Sequence, residues 1–263
     1  MVENVNIHYS AIIEDGAEIG EGTSVGPFCF VGSKVRLGQN VELKSHVVIK
    51  GDTFLGDENT VFPFAVLGEI PQDKKFNGES TSLKIGNRNQ IREHVTINVG
   101  TKGGGGITKV GNDGLFMAGC HIAHDAQVGD NVILVNNASL AGHCIIEDNV
   151  IVGGLSGVHQ FVRIGEGAII GAVTMVTNDV IPYGLVQAPR GELDGLNLVG
   201  LKRKGVPRAD IMALRAAFQT LSQGDGTFQD RAQKLTDDSD SEYVEKIVSF
   251  VLGHTDRSFL TPR

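Results

Sequence analysis

Four of the eight histidines fall between residues 121 and 159, with spacings that could place them in one patch. A structural repeat of about 18 residues would place His124, the pair Gly142 and His143, and the pair His159 and Gln160 at nearly the same angle on successive coils, with His121 one corner earlier. Imidazole accepts a proton near neutral pH, so a buried patch of this kind favours general-base catalysis. Two other interpretations stay open from the residues alone, namely a metal site and surface histidines without a role.

The neighbours of His124 favour acid–base chemistry over metal binding. Asp125 follows His124 directly, and at a sharp corner its carboxylate could orient the imidazole. Gly142 lies one repeat further on, where an unobstructed backbone N–H could stabilise an oxyanion. Because the patch contains no serine or cysteine nucleophile, we expect direct attack by an acceptor hydroxyl on an acyl donor.

An aliphatic residue recurs at every sixth position and provides the frame for this patch. A period of six fits neither an amphipathic helix nor a continuous strand, but it is typical of a parallel β-helix with three short faces per coil. The fifth position of each hexad is small or β-branched, which suits a narrow interior, and glycine often follows the aliphatic residue. The aliphatic register includes Ile7, Ile13, Ile19, Val25, Val31, Leu37, Ile122, Val128, Leu134, Leu140, Ile146, Val152, Val158, Ile164, Ile170 and Val176.

Two interruptions in the repeat, near 68–84 and 98–109, predict loops that leave the solenoid, and such loops commonly carry binding groups. The repeat ends after Val176. We expect an irregular polar segment over 187–205, a helix opened by Pro207, a short helix from Thr227, and a further helix with Ser239 and Glu242 in capping-box spacing. The predicted domains are a β-helix over 1–186 and a helical domain over 187–263.

Composition limits the functional classes. The net charge of −8 disfavours nucleic acid as a partner. No apolar run is long enough to cross a membrane and no signal sequence opens the chain, so we expect a cytoplasmic protein without an integral membrane segment. The three cysteines occupy the small inward position of their hexads, and we expect packed thiols rather than disulfides or metal ligands.

The chain resembles the acyl-[acyl-carrier-protein]–UDP-N-acetylglucosamine O-acyltransferases, which catalyse the first step of lipid A biosynthesis. The resemblance covers nearly the whole chain, in motif order, loop placement and C-terminal helices. It implies a left-handed parallel β-helix followed by a C-terminal α-helical domain, assembled as a cytoplasmic homotrimer with active sites between subunits. It also implies acyl carrier protein as acyl donor, UDP-N-acetylglucosamine as acceptor, and neither a cofactor nor a resident metal. The motifs that carry the resemblance are HIAHDAQVGD (121–130), NNASLAGH (136–143), GLSGVHQF (154–161), GEIPQDKKFNGE (68–79) and NLVGLKRKG (197–205).

The resemblance also assigns roles to individual residues. His124 is implied as the base that deprotonates the sugar 3-hydroxyl, Asp125 as its partner and Gly142 as the oxyanion donor. Ala172 occupies the position where side-chain bulk limits acyl-chain length. The residues implied in substrate binding are Gln72, Asp73, Lys75, His121, His143, His159, Gln160, Asn197, Arg203 and Lys204.

The chain departs from the family pattern in four places. Asn98 stands where a histidine is often found, Arg190 replaces another histidine, Val199 replaces an acidic residue, and Lys204 replaces an arginine. These departures leave open whether the acceptor carries a 3-hydroxyl or a 3-amino group. Another hexapeptide acyltransferase and a γ-class carbonic anhydrase are the remaining alternatives.

Overall fold

The computed structural model describes residues 4–187, 191–223, 225–236, 241–255 and 257–261. Most of the chain forms short strands, each followed by a tight corner. The strands are β1 (Asn6–Ile7), β2 (Ile12–Ile13), β3 (Glu18–Ile19), β4 (Ser24–Val25), β5 (Phe30–Val31), β6 (Arg36–Leu37), β7 (Glu42–Leu43), β8 (Val48–Ile49), β9 (Asp52–Leu55), β10 (Thr60–Val61), β11 (Val66–Glu69), β12 (Ser82–Ile85), β13 (Gln90–Ile91), β14 (Thr96–Asn98), β15 (Ile107–Val110), β16 (Leu115–Phe116), β17 (His121–Ile122), β18 (Gln127–Val128), β19 (Ile133–Leu134), β20 (Ser139–Leu140), β21 (Ile145–Ile146), β22 (Ile151–Val152), β23 (Gly157–Val158), β24 (Arg163–Ile164), β25 (Ile169–Ile170), β26 (Met175–Val176), β27 (Gly184–Gln187) and β28 (Glu192–Leu196).

From β1 to β26 each strand pairs in parallel with the third strand before or after it, which confirms the predicted β-helix. The first sheet runs β1-β4-β7-β10-β13-β16-β19-β22-β25-β27-β28, the second β2-β5-β8-β11-β14-β17-β20-β23-β26, and the third β24-β21-β18-β15-β12-β9-β6-β3. The aliphatic residue of each hexad points inward, so that Ile122, Leu140 and Val158 stack in one buried row. The predicted inward packing of Cys29, Cys120 and Cys144 is also observed, since all three are buried free thiols.

The glycine after the inward aliphatic residue is needed for close approach between coils. A Cβ at Gly129 would lie 2.3 Å from Asp148 Oδ1 of the next coil. The left-handed backbone of each corner occurs two positions later and is often adopted by residues other than glycine, including Asp125 with a φ of 61° and His143 with the same φ. The glycine therefore provides space between coils, while aspartate, asparagine, histidine and phenylalanine take the left-handed conformation.

The two predicted excursions occur at the expected coils, although they are shorter than the sequence indicated. The first lies between β11 and β12, and the second lies between β14 and β15 and contains a 3-10 helix at Lys102–Gly104. Residues at the predicted edges of both loops belong to the flanking strands.

The C-terminal part contains four helices, α1 (Leu198–Arg203), α2 (Arg208–Gln223), α3 (Phe228–Lys234) and α4 (Glu242–Leu252). The prediction of an irregular segment over 187–205 was wrong, because β28 pairs antiparallel with β27 and α1 follows it. The predicted start of α2 after Pro207 is confirmed, and so is the short helix from Thr227, which forms a capping box with Asp230.

The start of α4 differs from the prediction. Its N-cap is Ser241 and Glu242 is its first residue, so Glu242 cannot occupy the third position of a capping box begun at Ser239, which lies outside the described residues.

The helical part packs on the last coils of the β-helix. The buried carboxylate of Asp179 accepts a hydrogen bond from Arg163 Nε at 2.7 Å and one from Thr255 Oγ1 at 2.6 Å. The Arg163 guanidinium also lies over an aromatic ring of α4, 4.5 Å from the Phe250 centroid. The exact domain boundary at residue 186 stays a prediction. Among the described residues, no helix combines the length and apolar character that a membrane span requires.

Candidate active site

The histidine patch forms at the corner that follows β17, β20 and β23 on three successive coils. Because His121 pairs with Ser139 and Ser139 with Gly157, His124 stacks on Gly142 and Gly142 on Gln160. The backbone N–H of His143 donates to the His124 carbonyl at 3.0 Å, which joins the first two coils. The predicted convergence of His124, Gly142 and Gln160 is therefore observed in the fold.

As predicted, His159 lies beside Gln160, one position before the His124 row, and it stacks on Ala141. One detail of the predicted arrangement was wrong. His121 belongs to the strand that enters this same corner, not to the preceding corner. Both side chains still reach the cavity beside His124, since both line it.

His124 and Asp125 form a buried pair. The Nδ1 atom of His124 lies 2.8 Å from Asp125 Oδ2, and the exposed fractions of the two side chains are 8 % and 0 %. A carboxylate accepts hydrogen bonds, so Nδ1 carries the proton and Nε2 is left with a lone pair. This tautomer suits a general base that acts through Nε2.

Asp125 is held by the second loop. Its Oδ1 accepts a hydrogen bond from the Thr101 backbone N–H at 2.8 Å, and its Oδ2 accepts one from Thr101 Oγ1 at 2.6 Å. The Asp125 N–H donates to Thr108 Oγ1 at 2.8 Å. A Cβ at Gly104 would lie 2.1 Å from Asp125 Cγ, so the loop contacts the carboxylate too closely for any side chain there. The glycine-rich loop thus holds the Asp125 carboxylate in place beside His124.

Sequence reasoning missed Thr101, Gly104 and Thr108. The only signal was the run TKGGGG (101–106) immediately after a hexad, because an insertion rich in glycine permits close backbone approach. Its contact with Asp125 depends on how the loop folds back over the coil, which the repeat does not specify.

The hydrogen bond from the Thr101 hydroxyl to Asp125 allows a direct test of whether Thr101 positions this carboxylate. We expect Thr101→Val to lower kcat about tenfold, since it removes one hydrogen bond to a buried carboxylate, which contributes about 1.5–3 kcal/mol. Thr101→Ser keeps the hydroxyl and is the matched control. Steady-state kinetics on both variants check the expectation, and equal activity of Val and Ser variants would contradict it.

Gly142 packs directly against the His124 imidazole. A Cβ at this position would lie 2.5 Å from His124 Cε1 and 2.7 Å from His124 Nε2. Among the described residues, no acceptor bonds to the Gly142 N–H. At another corner of the same solenoid the equivalent N–H is covered by the next coil, as where Asn112 N donates to Asp130 Oδ1 at 2.7 Å and Asp130 N to Asp148 Oδ1 at 2.8 Å. An uncovered N–H beside His124 Nε2 is suited to stabilise developing negative charge.

Burial favours the neutral form of the two flanking histidines. Burial lowers the pKa of His121, with a smaller contribution from His124, and its Nδ1 lies 2.7 Å from Thr96 Oγ1. Burial also lowers the pKa of His143, although the Asp125 charge opposes the shift. His143 stacks on Phe161 with ring centroids 4.5 Å apart, and its Nδ1 lies 3.8 Å from Asp125 Oδ2. Uncharged rings at these positions can donate or accept hydrogen bonds without repelling a protonated His124.

Two cavities flank this corner. The strand-side cavity, about 450 Å³, lies along β17, β20 and β23 and ends at Met175. The loop-side cavity, about 740 Å³, lies beneath the first loop and the 3-10 helix. The predicted site residues lining the strand-side cavity are Gln72, His121, His124, Gly142, His159 and Gln160. Those lining the loop-side cavity are Asp73, Lys75 and His143.

The remaining predicted site residues lie elsewhere in the chain. Asn197 caps α1, where its Oδ1 accepts from the Gly200 N–H and its Nδ2 donates to the Gly167 carbonyl, both at 2.9 Å. Arg203 ends that helix, and Lys204 lies near Glu166, which opposes the lowering of its pKa by burial. Ala172 is exposed at the corner after β25. Within the described residues, no hydrogen bond or shared cavity joins these side chains to His124. Arg190 lies outside the described residues.

A metal ion would find few free ligand atoms here. Potential ligand atoms of His124, Asp125 and His143 lie within 4.8 Å of one another. However, both Asp125 oxygens already accept hydrogen bonds from Thr101, and His124 Nδ1 is committed to Asp125. The prediction that the site holds no resident metal stays a prediction, and this donor set fits proton transfer better than coordination.

Comparison with known proteins agrees with this architecture. The family model described as bacterial transferase hexapeptide (six repeats) matches residues 16–51, and that described as UDP N-acetylglucosamine O-acyltransferase, domain 2, matches residues 179–260.

Related proteins match over most or all of the chain. An acyl-[acyl-carrier-protein]–UDP-N-acetylglucosamine O-acyltransferase from Paracoccus denitrificans is 66 % identical over 202 residues, which cover 77 % of each chain. One from Rhizobium johnstonii is 45 % identical over 263 residues, covering 100 % of this chain and 97 % of the relative. The solved UDP-N-acetylglucosamine acyltransferase from Campylobacter jejuni superposes with a TM-score of 0.92 at 39 % identity, covering 98 % of this chain and 100 % of that one. The chain therefore belongs to the acyl-[acyl-carrier-protein]–UDP-N-acetylglucosamine O-acyltransferase family.

Proposed function

We propose that this enzyme transfers a fatty acyl group from acyl carrier protein to position 3 of UDP-N-acetylglucosamine, the first step of lipid A biosynthesis. The observation that carries the mechanism is the His124–Asp125 pair beside the uncovered N–H of Gly142. Base, orienting acid and oxyanion donor are the three groups that acyl transfer to a hydroxyl requires.

The reaction proceeds by direct attack. His124 Nε2 removes the proton of the sugar 3-hydroxyl as its oxygen attacks the thioester carbonyl carbon. The carbonyl oxygen gains negative charge and accepts a hydrogen bond from the Gly142 N–H, while Asp125 stabilises the imidazolium form of His124. Collapse of the tetrahedral intermediate breaks the carbon–sulfur bond, and the leaving thiolate of the carrier receives the proton from His124. The products are an ester at the sugar 3-oxygen and the free carrier thiol.

The two cavities lie on either side of His124 and together bind the two substrates. Ala123, Ala141 and Met175 give the strand-side cavity an apolar wall, while Lys75 and Lys102 lie at the loop-side cavity. Gln72, Asp73, Lys75, His121, His143, His159 and Gln160 are proposed to bind substrate from these walls. Their positions on both sides of His124 support the proposal.

We further propose that the active enzyme is a cytoplasmic homotrimer with sites between subunits. Asn197, Arg203, Lys204 and Ala172 share no described contact with the His124 corner of their own chain. If these residues bind nucleotide and acyl chain, as the family resemblance implies, an adjacent copy must supply them. Light scattering of the purified protein measures the assembly directly.

The activity is tested by mass spectrometry. Purified enzyme is incubated with UDP-N-acetylglucosamine and a mixed pool of acyl carrier thioesters, with and without a 3-hydroxyl. We expect the nucleotide sugar to gain one acyl group in a linkage cleaved by hydroxylamine, as an ester is. A hydroxylamine-stable product formed only from a 3-amino sugar nucleotide would assign N-acylation instead, and no acylated sugar nucleotide from either acceptor would refute the proposal.

A further inference from the structure

The side chain of Asn98 lines the strand-side cavity and is held by two hydrogen bonds. It is only 5 % exposed and ends β14, opposite a bulge in β11. Its Nδ2 lies 3.1 Å from the Ile70 carbonyl and 3.3 Å from the Glu69 carbonyl. Since only the NH₂ group can satisfy two carbonyls, the orientation of the amide is set and its oxygen must point away from them.

The oxygen of this amide has no partner within the described residues. Asn98 Oδ1 is buried and unpaired, and Asn98 lines the strand-side cavity with Gln72, His121 and His124. No donor of these neighbours lies within hydrogen-bond distance of Asn98 Oδ1, and His121 Nδ1 and His124 Nδ1 are engaged with Thr96 and Asp125. Buried acceptors in folded proteins are almost always paired, so the missing donor is expected on a bound molecule.

We propose that Asn98 is a specificity-determining residue whose Oδ1 accepts a hydrogen bond from a hydroxyl or amide N–H of the bound substrate. The inference rests on the proposed function, which supplies substrates rich in such donors. Two sources share this chemistry, namely the acceptor sugar and the 3-hydroxyl of an acyl chain. The sugar 3-hydroxyl is not a candidate, because its proton goes to His124.

The same residue also positions the first loop. Its two bonds to the Glu69 and Ile70 carbonyls hold the start of the segment that carries Gln72. A substitution can therefore act through the lost acceptor or through the displaced loop. The two effects are separable, because only the lost acceptor changes the preference between substrates that differ by one donor.

The test combines enzyme variants with substrate analogues. kcat/KM is measured for the wild type, Asn98→Leu and Asn98→Asp, with UDP-N-acetylglucosamine, its 4-deoxy, 6-deoxy and N-methylacetamido analogues, and acyl carriers with and without a 3-hydroxyl. Leucine has a similar shape without an acceptor, while aspartate keeps the oxygen and loses the anchoring donors. We expect the wild type to lose at least about tenfold with one analogue, Asn98→Leu to treat that analogue and its parent alike, and Asn98→Asp to keep the preference.

The outcomes separate the alternatives. A sugar analogue that shows the coupling identifies the acceptor sugar as the donor, and coupling to the acyl 3-hydroxyl identifies the chain. If Asn98→Leu lowers activity on every substrate by the same factor, Asn98 only anchors the loop and the inference is overturned. Thermal unfolding checks each variant, and Asn98→Ala replaces Asn98→Leu if the latter does not fold. Failure of the wild type to acylate UDP-N-acetylglucosamine would refute the proposed function instead.

Discussion

His124→Ala is expected to reduce kcat by at least about a hundredfold, the lower end of what a positioned general base contributes. The imidazole is nearly buried, its Nδ1 is held by Asp125, and its Nε2 faces the Gly142 backbone. The variant leaves Asp125 in place but removes the group that accepts the hydroxyl proton. The KM values for both substrates should change much less than kcat, because their binding uses the walls of the two cavities.

Steady-state kinetics with both substrates provides the measurement. His254→Ala, which removes an exposed imidazole from the C-terminal tail, is the matched control and should keep wild-type activity. Circular dichroism should show the same unfolding temperature for both variants within a few degrees. Near-full activity of His124→Ala would remove His124 from the role of base and return the patch to the metal or surface interpretations.

Gly142→Ala is expected to lower kcat by about a hundredfold, although it adds only a methyl group. The new Cβ would lie 2.5 Å from His124 Cε1, closer than real Cβ atoms approach their neighbours. The imidazole must therefore move away from its bond with Asp125, or the two coils must separate. A displacement of about 1 Å at a reacting group can cost about a hundredfold in rate, and the methyl also obstructs the N–H that faces the oxyanion.

A second glycine provides the control for this substitution. A Cβ at Gly195 meets nothing within 4 Å, and Gly195 lies in β28, outside both cavities. Gly195→Ala should therefore keep wild-type kinetics, with kcat measured under the same conditions as for Gly142→Ala. Equal activity of the two variants would show that neither the Gly142 N–H nor its contact with His124 matters for catalysis.

The repeat made the fold and the position of the His124 corner predictable. An inward residue at every sixth position requires a corner after each short strand, and three such faces bring His124 and Gly142 together. The offset of His159 from the His124 row was also predictable, because a coil of 18 residues places Gln160, one position later, on that row. The pairing of β27 with β28 was missed because that segment departs from the hexad pattern.

The residues that support the site were less predictable than the site itself. Thr101 and Asn98 occur in or beside insertions, where no periodicity indicates which atoms meet. Their contacts are long-range, since Thr101 bonds to Asp125 and Asn98 to the Glu69 and Ile70 carbonyls. Such contacts depend on the path of a loop across neighbouring coils.

The amino-acid sequence by itself determined the solenoid, its inward rows and the presence of His124 and Gly142 on adjacent coils. These features follow from a regular period, in which each residue's face is set by its position in the hexad. Only the tertiary structure decided that Asp125 is bound by the second loop, that the Gly142 N–H is uncovered, and that Asn98 Oδ1 is unpaired. The physical reason is that hydrogen-bond satisfaction depends on atoms brought together from distant segments, and a local pattern cannot specify which donors remain free.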